Sequence, residues 1–107
     1  MNVITNNNIK CTIALAALES VEDPEIGLNV VDLGLIYQID FDDDNAALFI
    51  SMTLTTQFCP MGESITGAVK RVLENTFTNT EVQLELVFDP PWNYENISEE
   101  GKIFLNQ

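Results

Sequence analysis

The chain has 107 residues, 46% of them hydrophobic, and a formal net charge of −13 from 17 acidic and four basic residues. That length buries one core without disulfides or a metal, so a single domain over residues 1–107, with its core at about 9–105, is expected. The charge repels phosphate backbones and anionic lipid, which excludes nucleic acid and acidic membrane surfaces as partners.

The N-terminus, "MNVITNNNIKC", lacks a basic stretch followed by an apolar core and does not read as a secretory signal. No apolar run approaches the roughly 20 residues that span a bilayer. Two cysteines, both expected to be reduced, fit a cytoplasmic chain. They are too few for a zinc or iron–sulfur site within one chain, which takes about four Cys or His ligands. With no histidine, Ser-His-Asp and Cys-His catalytic arrangements are also excluded.

The first periodic segment, "NNIKCTIALAALESV", predicts a helix over residues 9–21. Ile9, Ile13, Ala16 and Ser20 form one row, with Cys11, Leu15 and Leu18 beside it, giving a wide apolar face. Asn7 or Asn8 is a suitable cap, and Pro24 disfavours helical geometry at Asp23. Cys11 reads as a small core residue.

"LIYQIDF" places Leu35, Tyr37, Ile39 and Phe41 on one side of a strand, and "ALFISMTLT" does the same for Leu48, Ile50, Met52 and Leu54. The "DDDN" turn between them predicts an antiparallel hairpin. Asp42, Asp43 and Asp44 lack the later ligands of a calcium loop and read as a solvated tip. A second helix is expected over residues 61–76, with Lys70 and Arg71 in its C-terminal half, where positive charge suits the dipole. "TEVQLELVF" alternates as a third strand over residues 82–88, "DPPW" stops it, and "SEEGKIFL" closes the chain as a short helix capped by Ser98. The predicted architecture is α+β: a two-layer sandwich of a small, mainly antiparallel sheet with helices on one face.

Cys59 stands in a polar turn just before the second helix, with Pro60 at the position where a missing N–H costs nothing. Helix-start N–H groups favour the reactive thiolate, whereas the acidic surface and Glu63 oppose it. The residues alone leave a reactive thiol and a packing cysteine both open. Thr53 reads as an ordinary strand residue. Thr55 and Thr56 lie at the strand exit, where hydroxyls could hydrogen-bond a thiolate or a bound ligand. Asp23 and Glu25 flank Pro24, where turn formation is the simpler account. Asp32 is expected to bond nearby backbone, and Trp92 to seal a core edge.

"DPEIGLNVVDLGLIY", "MTLTTQFCP" and "LVFDPPW", in this order and at these separations, closely resemble the SufT/PaaD-like family of metal–sulfur cluster assembly domains. The match runs from about Ile9 to Leu105. The resemblance implies a compact α+β domain whose motifs converge on one site, made by Asp23, Glu25, Thr55, Thr56 and Cys59. Members act in maturing iron–sulfur proteins or in assembling the phenylacetyl-CoA epoxidase system. Where the family usually has Pro-Gly or a similar small pair before the cysteine, this chain has Gln57-Phe58. It also lacks the cysteine-bearing C-terminal extension of the PaaD branch, which favours a stand-alone, SufT-like member.

The resulting expectation is a cytoplasmic accessory factor, not a turnover catalyst, in iron–sulfur cluster assembly or delivery. Its partners would be the assembly machinery and client apoproteins, and it would be a monomer or weak homo-oligomer. No tightly bound cofactor is expected. A single thiolate cannot hold a cluster, so any iron or transient cluster at Cys59 would be shared with a partner's ligands. The alternatives are a small thiol-dependent enzyme, an accessory subunit of a phenylacetyl-CoA epoxidase-type system, and a binding module in which Cys59 is a bystander.

Overall fold

In a computed structural model, residues 3–24, 26–55 and 62–106 are described. Their elements, in chain order, are β1 (Ile4–Thr5), α1 (Asn8–Leu18), β2 (Ile36–Asp42), β3 (Ala47–Met52), α2 (Gly62–Thr76), β4 (Glu81–Leu86), a 3-10 turn (Tyr94–Asn96) and α3 (Glu99–Leu105). The α+β architecture is as expected. The strands form one sheet in the order β1-β2-β3-β4.

Pairing within that sheet is mixed where a mainly antiparallel one was expected. The β2–β3 hairpin is antiparallel, but β1–β2 and β3–β4 are parallel. Each parallel pair is joined through a helix, α1 or α2, which is the long crossover that parallel neighbours require. β1 went unpredicted because two residues carry no period. The side chain of Asn6 prolongs it: Nδ2 donates to the Phe41 carbonyl at 2.9 Å, and Oδ1 accepts from the Phe41 N–H at 2.9 Å.

Asn7 caps α1, its side chain accepting from the Lys10 N–H. The helix ends at Leu18, short of the predicted Val21. There the backbone is drawn into a different pairing: Val30 N–H donates to the Val21 carbonyl, and Glu22 bridges Asn29 antiparallel. The buried row also differs from the predicted one. Cys11, Ala14 and Leu18 face the core, while Ile9 and Ile13 are 77% and 48% exposed. α1 is apolar nearly all round, so hydrophobicity could not choose its face. The row with small residues at Cys11 and Ala14 lets α2 pack closely against it.

α2 follows its stripe, burying Ile65, Val69 and Leu73 against the sheet. Each such side chain contributes roughly 1.5–3 kcal/mol by leaving water. Ile39, Leu48, Ile50, Met52 and Val82 supply the sheet side of the same core. A register shift between Ile36 and Gln38 turns Tyr37 out of the alternation, and Ile36 takes the core position opposite Met52. The Tyr37 hydroxyl instead donates to the Pro90 carbonyl at 3.0 Å.

The C-terminal segment clamps the loop after α1. Trp92 is half-buried, as a core-edge residue should be, and its Nε1 donates to the Leu33 carbonyl at 2.6 Å. Ser98 caps α3, accepting from the Gly101 N–H, as predicted. Gly34, at φ +75°, lies so close to Asn96 that an added Cβ would fall 2.1 Å from its carbonyl oxygen.

Candidate functional site

Of the five candidate residues, Asp23 and Thr55 lie within the described structure, whereas Glu25, Thr56 and Cys59 fall outside the described residues. Asp23 is 2% exposed and organises a tight reversal. Its N–H donates to the Leu28 carbonyl at 3.0 Å, and its own carbonyl accepts from the N–H groups of Ile26 (3.2 Å) and Gly27 (2.7 Å). Its Oδ1 accepts from the Ile26 N–H at 3.3 Å. Gly27 has φ +80°, the left-handed conformation that closes the turn without a Cβ penalty. Turn formation is therefore one role of Asp23, and it sets the carboxylate into the protein rather than into solvent.

Thr55 is half-buried just past β3. Thr53 is fully buried, and its N–H donates to the Leu35 carbonyl at 2.8 Å, prolonging the hairpin pairing towards the site. Leu54 then reaches α2: a Cβ on Gly62 would fall 2.8 Å from Leu54 Cδ1. The exit of β3 and the start of α2 are thus in direct contact. A groove of about 400 Å³ lies between the α1 exit, at Glu22 and Pro24, and the length of α2 from Ser64 to Asn75. The residues on either side of Asp23, Glu22 and Pro24, thus share a groove with α2, and the β3 exit touches the first residue of α2 through Leu54.

Asp32 is not part of this chemistry. Its Oδ2 accepts from the Asn29 side chain at 2.7 Å and its Oδ1 from the Ser98 hydroxyl at 2.9 Å. The local backbone bonds expected of it are made by Asn29, whose Oδ1 accepts from the N–H groups of Val31 and Asp32. Cys11 is buried in the core, as expected. Among the described residues, no group of three or more His, Cys, Asp or Glu side chains is arranged to hold a metal ion. Nor is any described helix long and apolar enough to cross a membrane.

One feature of the groove escaped the sequence. Arg71 lines it, on the α2 face that also carries Ser64, Ala68 and Val72. It lies outside the last turn of α2, so dipole compensation does not explain it. The available signal was the scarcity of cations, four in 107 residues, two of them adjacent in α2.

The chain is similar to known proteins over most of its length. Residues 13–84 match the family model described as iron–sulfur cluster assembly protein. The chain is 38% identical over 91 residues to the Fe-S protein maturation auxiliary factor YitW of Bacillus subtilis, covering 85% of this chain and 88% of that one. It is 39% identical over 85 residues to the Fe-S protein maturation auxiliary factor SufT of Staphylococcus aureus, covering 79% and 96%. The crystal structure of a domain of unknown function, DUF59, from Bacillus anthracis superposes with a TM-score of 0.83 at 36% identity, covering 94% of this chain and 98% of that one. By sequence match and by fold, the chain belongs to the iron–sulfur cluster assembly protein family.

Proposed function

We propose that this protein is an accessory factor in the maturation of iron–sulfur proteins, with Cys59 as its functional thiol. Asp23, Glu25, Thr55 and Thr56 would surround that thiol. The observation that carries this reading is the convergence of the Asp23 turn with the start of α2, because Cys59 stands in the sequence between the β3 exit and that start. Relatives named as maturation auxiliary factors, similar over most of the chain, support the same role.

The cluster or its iron is cargo in this account. A lone thiolate offers one soft ligand, so transfer proceeds in a complex where an assembly protein or client supplies the others. Buried carboxylate at Asp23 is a hard donor and suits a positioning role beside a thiol better than a share in a sulfide-bridged cluster.

Complementation tests this. In cells lacking the protein, activity of an iron–sulfur hydro-lyase should fall and be restored by the wild type and by Cys11→Ala, but not by Cys59→Ser. Unchanged activity of iron–sulfur enzymes in the deletion strain would remove the maturation role. Full rescue by Cys59→Ser would remove the thiol from it.

A further inference from the structure

The groove along α2 carries a positive charge that no described acid pairs. Of the four basic residues, Lys10 is paired with Asp43 and Lys102 with Glu95, whereas Lys70 and Arg71 make no ion pair with any described residue. The simplest account of an exposed helix arginine is a solvated side chain. Here, however, Arg71 shares a groove with apolar side chains, Ala68 and Val72 among them, beside the polar Glu22, Ser64 and Asn75.

We propose that this groove docks an extended segment of a protein partner, with an acidic side chain on Arg71 and apolar side chains on Ala68 and Val72. The dimensions suit such a segment. From Ser64 to Asn75 the lining runs about 16 Å along α2 at ~1.5 Å per residue, the reach of about five extended residues at ~3.3 Å each. A guanidinium pairs a carboxylate through two parallel hydrogen bonds, which fixes the direction of the segment. Glu22, elsewhere on the lining, repels a second acid and so confines the carboxylate to Arg71. The net charge of −13 opposes an acidic partner only weakly at this spot, because screening limits its reach to about 8 Å at physiological salt. A partner held here has its chain running along α2 towards Pro24 and Ser64, near the helix start. The proposal draws on the maturation reading only to identify the partner as a client or carrier.

The test is selection from a phage-displayed library of random heptapeptides on immobilised wild type, Arg71→Glu, Lys70→Gln and Cys59→Ser. Wild type and Cys59→Ser should both enrich peptides with one Asp or Glu flanked by Leu, Ile or Val. Lys70→Gln should retain them, and Arg71→Glu should lose them. For a selected peptide, Arg71→Gln should weaken binding roughly 5-fold, as expected for a partly exposed charge-assisted pair. Matching thermal melts show that the variants fold. The proposal is overturned by no enrichment above Arg71→Glu, by enrichment of basic peptides, or by self-association of the wild type that Arg71→Glu abolishes. Because Cys59→Ser is expected to bind normally, loss of the thiol reading leaves this result standing, and the reverse also holds.

Discussion

Asp32 and Ser98, 66 residues apart, are joined by two hydrogen bonds: the Ser98 hydroxyl donates to Asp32 Oδ1 at 2.9 Å, and the Ser98 N–H donates to the Asp32 carbonyl at 2.8 Å. The contact fastens the cap of α3 to the loop that begins at the Asp23 turn, and Gly101 continues it by packing on Leu28. The C-terminal segment thereby braces the candidate site without belonging to it. Ser98→Ala should cost about 1 kcal/mol as a lost cap, and Asp32→Ala about 1–3 kcal/mol because Ser98 and Asn29 lose their acceptor. Urea unfolding measures both. Amide exchange at Asp23, whose N–H is held by Leu28, should quicken in Asp32→Ala.

The two left-handed glycines near the site should respond unequally to alanine. Gly34 (φ +75°) faces backbone of Asn96, where a Cβ has no room, whereas Gly27 (φ +80°) has nothing within 4 Å of an added Cβ. Gly27→Ala should therefore cost only the conformational strain, about 1–2 kcal/mol. Gly34→Ala should cost clearly more, because the 3-10 turn must also move. Thermal denaturation of the two variants side by side would show the order, and equal losses would mean that the Asn96 turn yields freely.

Much of this arrangement could be read from residue patterns. The hairpin, α2, the Asn7 and Ser98 caps and the burial of Cys11 follow from period, turn chemistry and capping, which act over a few residues. What could not be read depends on distant contacts. β1 exists because β2 is beside it, and α1 turns Ile9 outward because α2 needs the smaller face. The bulge at Tyr37 inverts a local alternation that looked regular. At the site, "DPE" signals a turn, but only the fold shows the Asp23 turn sharing a groove with α2 and Arg71.

Asp23 has a structural and a proposed functional role, and one substitution separates them. Asparagine keeps an oxygen for the Ile26 N–H and removes the charge. Asp23→Asn should unfold within about 1 kcal/mol of wild type, given that a neutral acceptor replaces a charged one. If the carboxylate serves the thiol site, complementation should fall severalfold in that variant. Undiminished complementation would confine Asp23 to building the turn.

The two thiols should differ in folded protein. Cys11 is 4% exposed within the α1–α2 core, so a water-borne alkylating agent reaches it only after local opening. Cys59 is proposed as the working thiol and should label first with iodoacetamide, at a rate that rises with pH as thiolate forms. Adding denaturant should bring the two rates together. Mass spectrometry of digests assigns each site, and equal rates in native buffer would return Cys59 to a packing role.

The last prediction concerns cargo. The isolated monomer should not retain an iron–sulfur cluster after anaerobic reconstitution with iron and sulfide. Cys11 is held in the core, the chain has no histidine, and Cys59 alone supplies one of the roughly four soft ligands a cluster takes. A shared cluster between two copies must bring two chains of charge −13 together, which favours a hetero-complex with a less acidic client. Gel filtration under anaerobic conditions, with iron measured across the profile, distinguishes these states. Iron should elute with protein only when a client apoprotein is present, and its share should drop in Cys59→Ser. Full cluster occupancy on the monomer, undiminished by Cys59→Ser, would mean that the ligands lie elsewhere in the chain and would end the account of Cys59 as a transfer thiol.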